Sequence, residues 1–144
     1  MKPVGSKFEY EEERNKDLMS VYHKLLSSHP TIRLREIMVE LVNTPSKRFW
    51  VSEERASIVI SAMMRGVNQD SLSPMKKEMF TEIYRRVLEA RKERTTAPLS
   101  DIIFDVVRQP APKFYLTPGS AKVIVHRIKK KWFEERKRKL RHLF

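Results

Sequence analysis

Hydrophobic side chains along this chain recur every three or four residues, which is the period of an amphipathic α-helix. Polar and charged residues fill the positions between them. In the first half the apolar positions form three stripes, at Leu18, Val21, Tyr22, Leu25 and Leu26, then at Leu34, Ile37, Met38, Leu41 and Val42, and then at Ala56, Val59, Ile60 and Met63. The pattern predicts three helices, the third packing on the first two.

The same pattern returns in the second half of the chain. Moving the sequence by 65 places residues 31–64 on residues 96–129 without a gap, and LMSVYHKLL at 18–26 resembles FTEIYRRVL at 80–88 with a slip of three. The identities are Thr31/Thr96, Leu34/Leu99, Ile37/Ile102, Val42/Val107, Pro45/Pro110, Phe49/Phe114 and Ala56/Ala121. We therefore expect an all-α fold of six helices, arranged as two tandem three-helix, helix-turn-helix-like repeats offset by about 65 residues.

Helix limits follow from capping residues and prolines. A side-chain oxygen at the N-cap accepts a hydrogen bond from the first turn, and proline breaks a helix because it lacks an N–H donor. The predicted N-caps are Thr31, Ser52, Ser73, Thr96 and Thr117, and the breaks are NTP and RQPAP. The expected organisation is a first repeat at 1–66, a second at 67–131 and a basic helical extension at 132–144.

An aromatic pair follows each proline break. We interpret Phe49 and Phe114 as core residues that close the gap between the second and third helices. Alternation in an extended segment turns Trp50 and Tyr115 the other way. Packing in the core or between the repeats is favoured for these two, while stacking on a base and contact with a partner stay open.

Composition excludes several kinds of chemistry. The chain has no cysteine, which removes disulfides and thiolate chemistry and fits a reducing, cytoplasmic setting. The first residues lack an apolar run and nowhere do about 18 apolar residues follow one another, so we expect neither secretion nor membrane spanning. With only three glycines, we expect no glycine-rich phosphate loop. The four histidines stand apart from one another, and we expect no catalytic site and no cofactor.

Two acidic pairs are the strongest metal-binding candidates. Glu36 and Glu40, and Asp101 and Asp105, are spaced to share one helix face and could hold a divalent cation. Acids near a helix N-terminus also face the positive end of its dipole. The second interpretation is favoured, and we expect no metal.

Charge points to a polyanionic ligand. The net charge of +12 divides into +2 for residues 1–66 and +10 for residues 67–144, with 10 basic and 2 acidic residues within 122–141. The free faces of the third helices carry short polar and basic side chains, which can reach base edges and phosphates. The candidate nucleic-acid-binding residues are Arg48, Arg55, Ser57, Ser61, Arg65, Lys113, Lys122, His126, Arg127, Lys129, Lys130, Lys131, Arg136, Lys137, Arg138, Lys139 and Arg141.

A helix, a break and a third helix with a polar free face resembles the helix-turn-helix arrangement of transcription regulators and of phage or mobile-element DNA-binding proteins. The resemblance covers residues 33–66 and 98–131, and it implies binding of duplex DNA. One difference is that the connections from Val42 to Ser52 and from Val107 to Thr117 are about twice the familiar three- or four-residue turn.

The expected function is thus non-catalytic binding of nucleic acid, with duplex DNA favoured over RNA and the second repeat and its basic extension supplying most of the affinity. Two alternatives remain. One is RNA binding, which charge alone does not exclude. The other is an assembly or adaptor module in a virion or replication complex, with a protein partner docking on the near-neutral first repeat through Met64 and Trp50.

Overall fold

The computed structural model describes residues 6–143, with side chains from residue 10 onward. It contains six α-helices: α1 (Ser6–Ser28), α2 (Leu34–Val42), α3 (Glu53–Met64), α4 (Pro74–Glu93), α5 (Leu99–Val107) and α6 (Pro118–Leu143). Within these residues there is no strand, and one isolated antiparallel bridge joins Ser46 and Ala111. The prediction of an all-α fold with six helices is confirmed. The outermost parts of the expected first repeat and extension, residues 1–5 and 144, lie outside the described residues.

Three of the five predicted caps are confirmed. The Ser52 side chain accepts a hydrogen bond from the Arg55 amide at 3.1 Å, and Thr117 accepts one from the Ser120 amide at 3.1 Å. Ser73 caps α4, and Pro74 occupies its first turn, where the missing N–H has no helical partner to lose.

The caps predicted at Thr31 and Thr96 are wrong. The N-caps of α2 and α5 are Arg33 and Pro98, both extended and without a side-chain capping bond. Each helix begins at the first leucine of its apolar stripe, three residues beyond the threonine. Neither threonine is therefore the residue next to the first helical turn, which is where a cap must stand.

The helices form two hydrophobic cores. The α3–α4–α5 core is built on α4 and α5 of the second half and α3 of the first, and the α1–α2–α6 core on α1 and α2 of the first half and α6 of the second. The α3–α4–α5 core comprises Phe49, Val51, Ala56, Val59, Ile60, Met79, Phe80, Ile83, Val87, Ile102, Ile103, Val106, Val107, Ala111 and Tyr115. The α1–α2–α6 core comprises Leu18, Met19, Tyr22, Ile37, Met38, Leu41, Val42, Phe114, Ala121 and Val125.

The expectation that each third helix packs on the first two helices of its own half is therefore wrong. Helix α3 packs on α4 and α5, and α6 packs on α1 and α2. The apolar stripes themselves are where the sequence placed them, since Ala56, Val59 and Ile60 are buried on α3. What differs is the surface that covers them.

The exchange follows from two connecting segments, residues 43–52 and 108–117, that cross each other. The Ser46 and Ala111 amides each donate to the other's carbonyl oxygen at 3.0 Å. Farther along, the Phe49 amide donates to the Val107 carbonyl at 3.0 Å and the Phe114 amide to the Val42 carbonyl at 3.1 Å. Each connecting segment therefore starts at a helix of one core and runs beside the other segment. It ends at a helix that packs in the other core.

The aromatic pairs follow the crossing. Phe49 and Phe114 are buried as predicted, and each lies in the core to which its segment crosses. Their neighbours turn the opposite way: Tyr115 stacks on Phe49 with ring centroids 6.0 Å apart, and Trp50 packs against the α1–α2–α6 core. Each core therefore receives one aromatic side chain from each segment, and Tyr115 reaches its place with a left-handed backbone, at φ 55.

Candidate nucleic-acid interface

Helix α6 presents most of the candidate cations. Ala121 and Val125 fix its first half to the α1–α2–α6 core, with Ile124 and Ile128 partly buried beside them. From Lys129 to Leu143 every side chain is exposed, so the helix continues beyond the part that packs on the core. The predicted site residues that it exposes are Lys122, His126, Arg127, Lys129, Lys130, Lys131, Arg136, Lys137, Arg138, Lys139 and Arg141. One continuous helix thus brings together eleven of the seventeen predicted site residues.

Two contacts hold α6 against α1. The Lys129 ammonium lies 2.6 Å from the Tyr22 hydroxyl and 4.5 Å from the centre of the Tyr22 ring. One turn farther along, Trp132 stacks on His23 with ring centroids 6.3 Å apart and planes 9° from parallel. Lys129 therefore has a structural contact, and the other cations of α6 are better placed to reach a ligand.

Arg48 does not extend into solvent as the sequence suggested. Its Nε donates to the Phe49 carbonyl at 3.1 Å, its Nη2 donates to the Val51 carbonyl at 2.9 Å, and Glu53 lies 3.6 Å away. The guanidinium is therefore used inside the crossing, with only 16% of its side chain exposed.

Lys113 is also engaged within the fold. Its ammonium forms an ion pair with Glu78 of α4 and lies 5.6 Å from the centre of the Tyr115 ring. The structure therefore does not bring Arg48 or Lys113 together with the cations of α6.

The remaining four candidates lie on α3 or at its C-cap, away from α6, because α3 packs on α4 and α5. Arg55 and Arg65 are exposed, whereas Ser57 and Ser61 are half-buried. The Ser57 hydroxyl is buried and has no hydrogen-bond partner, so it faces the protein interior. Arg55 lies next to the acids Glu53 and Glu54 in the first turn of α3. Near α3 the charge is mixed, in contrast with α6.

Sequence reasoning missed two arginines of α2. Arg33 is the N-cap and Arg35 lies in the first turn, and both are exposed. They were assigned to a near-neutral first half, but α2 packs directly on α6. The two arginines are visible in the sequence, but only the exchange of α3 and α6 shows that they lie on a helix packed against the basic helix.

Two exposed aromatic residues on α6 were missed as well. Trp132 is 48% and Phe133 is 61% exposed. The Lys137 ammonium lies 5.0 Å from the centre of the Phe133 ring. Their position beyond Ile128, the last residue of the apolar stripe, was the available signal.

The acidic pairs have ordinary partners or face solvent. Asp105 accepts a hydrogen bond from Arg94 at 2.5 Å, and Glu40 lies 3.5 Å from the His29 ring. Glu36 and Asp101 stand in the first turns of α2 and α5, where the helix dipole favours acids. Among the side chains described, from residue 10 to residue 143, no three carboxylate or histidine groups gather as a metal site would require. Over the same residues, no helix combines the length and apolar character needed to cross a bilayer.

Comparison of the chain with protein-family models, with curated proteins and with solved structures finds no match. The residues of α6 and of the helices packed on it therefore carry the functional interpretation.

Proposed function

We propose that this protein is a non-catalytic nucleic-acid-binding protein, that duplex DNA is its ligand, and that it acts as a regulator of the phage or mobile-element type. The observation that carries the proposal is the exposure of ten lysine and arginine side chains on the single helix α6. Cations that neutralise phosphates release condensed counterions, which drives binding. Residues 133–143, all exposed, extend the charge of α6 beyond the contact between Trp132 and His23.

Duplex DNA is favoured over RNA because the cations lie on a helix. Helix α6 has 26 residues and is about 39 Å long at 1.5 Å per residue. The major groove of B-form DNA admits an α-helix, whereas that of A-form RNA is too narrow for side chains to read. Lys122, His126 and Arg127, on the exposed side of the packed part of α6, are the groove-facing candidates.

The proposal includes two tandem three-helix repeats offset by 65 residues. Support comes from the crossing: when each residue number is moved by 65, the bonded pair 46/111 maps onto itself and the pair 49/107 becomes the pair 114/42. The helix lengths agree too, at nine residues for both α2 and α5. Two similar repeats could contact neighbouring half-sites, although only α6 is strongly basic.

The test is the salt dependence of binding to a fluorescent duplex, measured by anisotropy with the full chain. The variant K137Q/R138Q/K139Q removes three cations from the part of α6 beyond the core. The matched control K76Q/R91Q/K92Q removes three exposed cations from α4, in the other core.

Unaltered protein should lose affinity steeply between about 50 and 200 mM salt, and the α6 variant should lower the log–log slope by up to about 2.7, at 0.9 per phosphate contact. The α4 variant should keep the original slope. Equal weakening by the two variants, or binding that does not respond to salt, would contradict the proposal. Competition with single strands and structured RNA tests the preference for duplex DNA.

A second candidate is an assembly or adaptor module. The anchors expected for it are engaged within the fold, since Met64 lies 3.7 Å from an Arg91 nitrogen and the Trp50 indole donates to Asp17 at 3.3 Å. The exposure of Trp132 and Phe133 instead favours a partner at the end of α6. Replacing both with alanine should leave phosphate-driven DNA binding nearly unchanged but remove an apolar docking contact.

A further inference from the structure

The hydrogen bonds of the crossing place the residues that lead into α6 next to the end of α2. The Phe114 amide donates to the carbonyl of Val42, the last residue of α2, and α6 begins four residues later at Pro118. In the same way, the Phe49 amide donates to the carbonyl of Val107, the last residue of α5, and α3 begins four residues later at Glu53. In space, the end of α2 is therefore followed by the short segment 114–117 and then by α6. The end of α5 is followed by the short segment 49–52 and then by α3.

The chain itself takes a longer path between successive helices. Ten residues, 43–52, separate α2 from α3, and ten residues, 108–117, separate α5 from α6. These connections are too long for a helix-turn-helix. The three- or four-residue spacing of a helix-turn-helix is found only in space, between α2 and α6 and between α5 and α3, which belong to different halves of the chain.

We infer that the DNA-binding unit is α2 followed in space by α6, so that Arg33 and Arg35 of the first half bind the phosphates of the same duplex as the basic helix of the second half. The inference rests on the proposed function. It adds two contact residues and excludes α5, the neighbour of α6 along the chain, from the unit.

Packing supports this pairing. The buried face of α2, at Ile37, Met38 and Leu41, lies in one cluster with Ala121 and Val125 of α6. The corresponding face of α5 lies in the other cluster, with Ala56 and Ile60 of α3. Helix α6 is therefore packed directly on α2, the helix whose first turn carries Arg35.

Charge distinguishes the two units. The start of α2 carries Arg33 and Arg35, with Glu36 as the only acid of its first turn. Moving by 65 gives Pro98 and Ser100 in place of the arginines, with Asp101 retained. A phosphate near α2 therefore meets two more cations than one near α5. The exchange of third helices therefore packs the basic helix α6 on α2, which begins with two arginines, and not on α5.

The experiment compares R33Q/R35Q with K76Q/K92Q, a control that removes two exposed lysines from α4. Both are made in the full chain, and binding to the fluorescent duplex is measured from about 50 to 200 mM salt. We expect R33Q/R35Q to lower the slope by up to about 1.8 and the control to leave it unchanged. Because the Arg33 side chain makes no capping bond, circular dichroism and thermal melting should match the unaltered protein. Arg35→Gln alone, which keeps the N-cap residue, should lower the slope by about half as much.

Each outcome has a separate meaning. If R33Q/R35Q and K76Q/K92Q bind alike while K137Q/R138Q/K139Q binds weakly, the pairing of α2 with α6 in DNA binding is wrong and the proposed function stands. If the unaltered protein shows no salt-dependent binding to duplex DNA, both are wrong. A lowered slope for R33Q/R35Q and for Arg35→Gln supports the inference.

Discussion

The backbone amides of Ser46 and Ala111 each donate a hydrogen bond to the other residue's carbonyl oxygen, both at 3.0 Å, although the two residues are 65 positions apart. Both residues are buried, at 3% and 2% exposed. The Ser46 hydroxyl is also within reach of the Arg48 and Lys113 carbonyls, at 2.8 and 3.2 Å. This contact is the point at which the two connecting segments cross.

A disulfide should form at this crossing in the variant S46C/A111C. A hydrogen-bonded antiparallel pair places its Cα atoms about 5.5 Å apart, within the range that disulfides accept. No other cysteine competes. The link closes a long loop and should stabilise the protein by up to about 4 kcal/mol in the loop-entropy model.

The product is checked by non-reducing electrophoresis and thermal melting, with S46C alone as the control. A fast-migrating monomer that melts at higher temperature than its reduced form is expected. Only intermolecular dimers, or no disulfide at all under oxidation, would show that the segments do not meet within one chain.

Asp17 should be the most sensitive acidic residue for stability. The residue is 4% exposed, and its carboxylate accepts hydrogen bonds from the Lys47 amide at 2.9 Å and the Trp50 indole at 3.3 Å. Asp17→Ala leaves both donors without this acceptor and should cost about 2–3 kcal/mol. Denaturant unfolding measures the loss, with Glu13→Ala, an exposed change on the same helix, expected to stay within about 0.5 kcal/mol. Equal effects of the two changes would mean that Asp17 does not hold the crossing.

The second half lacks this carboxylate, and the surrounding residues explain why. The position that aligns with Asp17 is Met79, and the position 65 residues beyond Lys47 is Pro112. Proline has no backbone N–H, so no acceptor is needed there. Met79 is buried in the α3–α4–α5 core instead. The two crossing segments are therefore held by different chemistry, polar on one side and apolar on the other.

Capping provides a paired test of helix limits. Ser52→Ala and Thr117→Ala each remove the oxygen that accepts a first-turn amide and should each cost about 1 kcal/mol. Thr31→Ala and Thr96→Ala remove no such bond and should change the unfolding free energy by less than about 0.5 kcal/mol. Four denaturant curves decide the matter. A loss at Thr31 as large as that at Ser52 would contradict the observed start of α2.

Tyr115 should make the protein sensitive to alkali. Burial, with a smaller contribution from Glu82 and Glu78, raises the pKa of its hydroxyl to about 12 from the usual 10. Between these values the unfolded chain loses the proton and the folded chain keeps it, so the stabilising contribution is full below pH 10 and disappears as pH rises to 12. After allowance for partial solvent access, the loss is about 1–2 kcal/mol.

Tyr115→Phe is the control because it keeps the ring on Phe49 and cannot ionise. Its stability should fall less than that of the unaltered protein between pH 10 and 12 in denaturant titrations. Parallel pH profiles for the two proteins would show that the hydroxyl is not shielded.

The six helices and three of their caps were predictable because they depend on spacing within one helix. The exchange of α3 and α6 was not, and the repeat itself explains why. Ala56 on α3 matches Ala121 on α6, and Ile37 on α2 matches Ile102 on α5. The apolar face of a third helix is therefore compatible with either pair of partners, and local pattern cannot distinguish them. The choice is made by the path of the connections, where the Phe49 amide finds the Val107 carbonyl.

Some residues of the candidate site were predictable from local sequence, and others depended on contacts between the two halves of the chain. The cations of α6 were predictable, because a dense run of charge beyond the last apolar position must face solvent. The internal roles of Arg48 and Lys113 were not, since their partners belong to the crossing and to α4. Arg33 and Arg35 were missed for the same reason. A residue's neighbours on an exchanged helix are absent from its own half of the sequence.

The exchange of third helices also limits how this molecule can be divided. A fragment cut after Gly66 would carry α3 with Ala56 and Ile60 uncovered, and it would lack α6, which covers Leu41 and Val42. Such a fragment could keep the packing seen here only by exchanging third helices with another copy, as in a domain-swapped dimer. In this chain the two halves make that exchange within one molecule, so it does not depend on protein concentration.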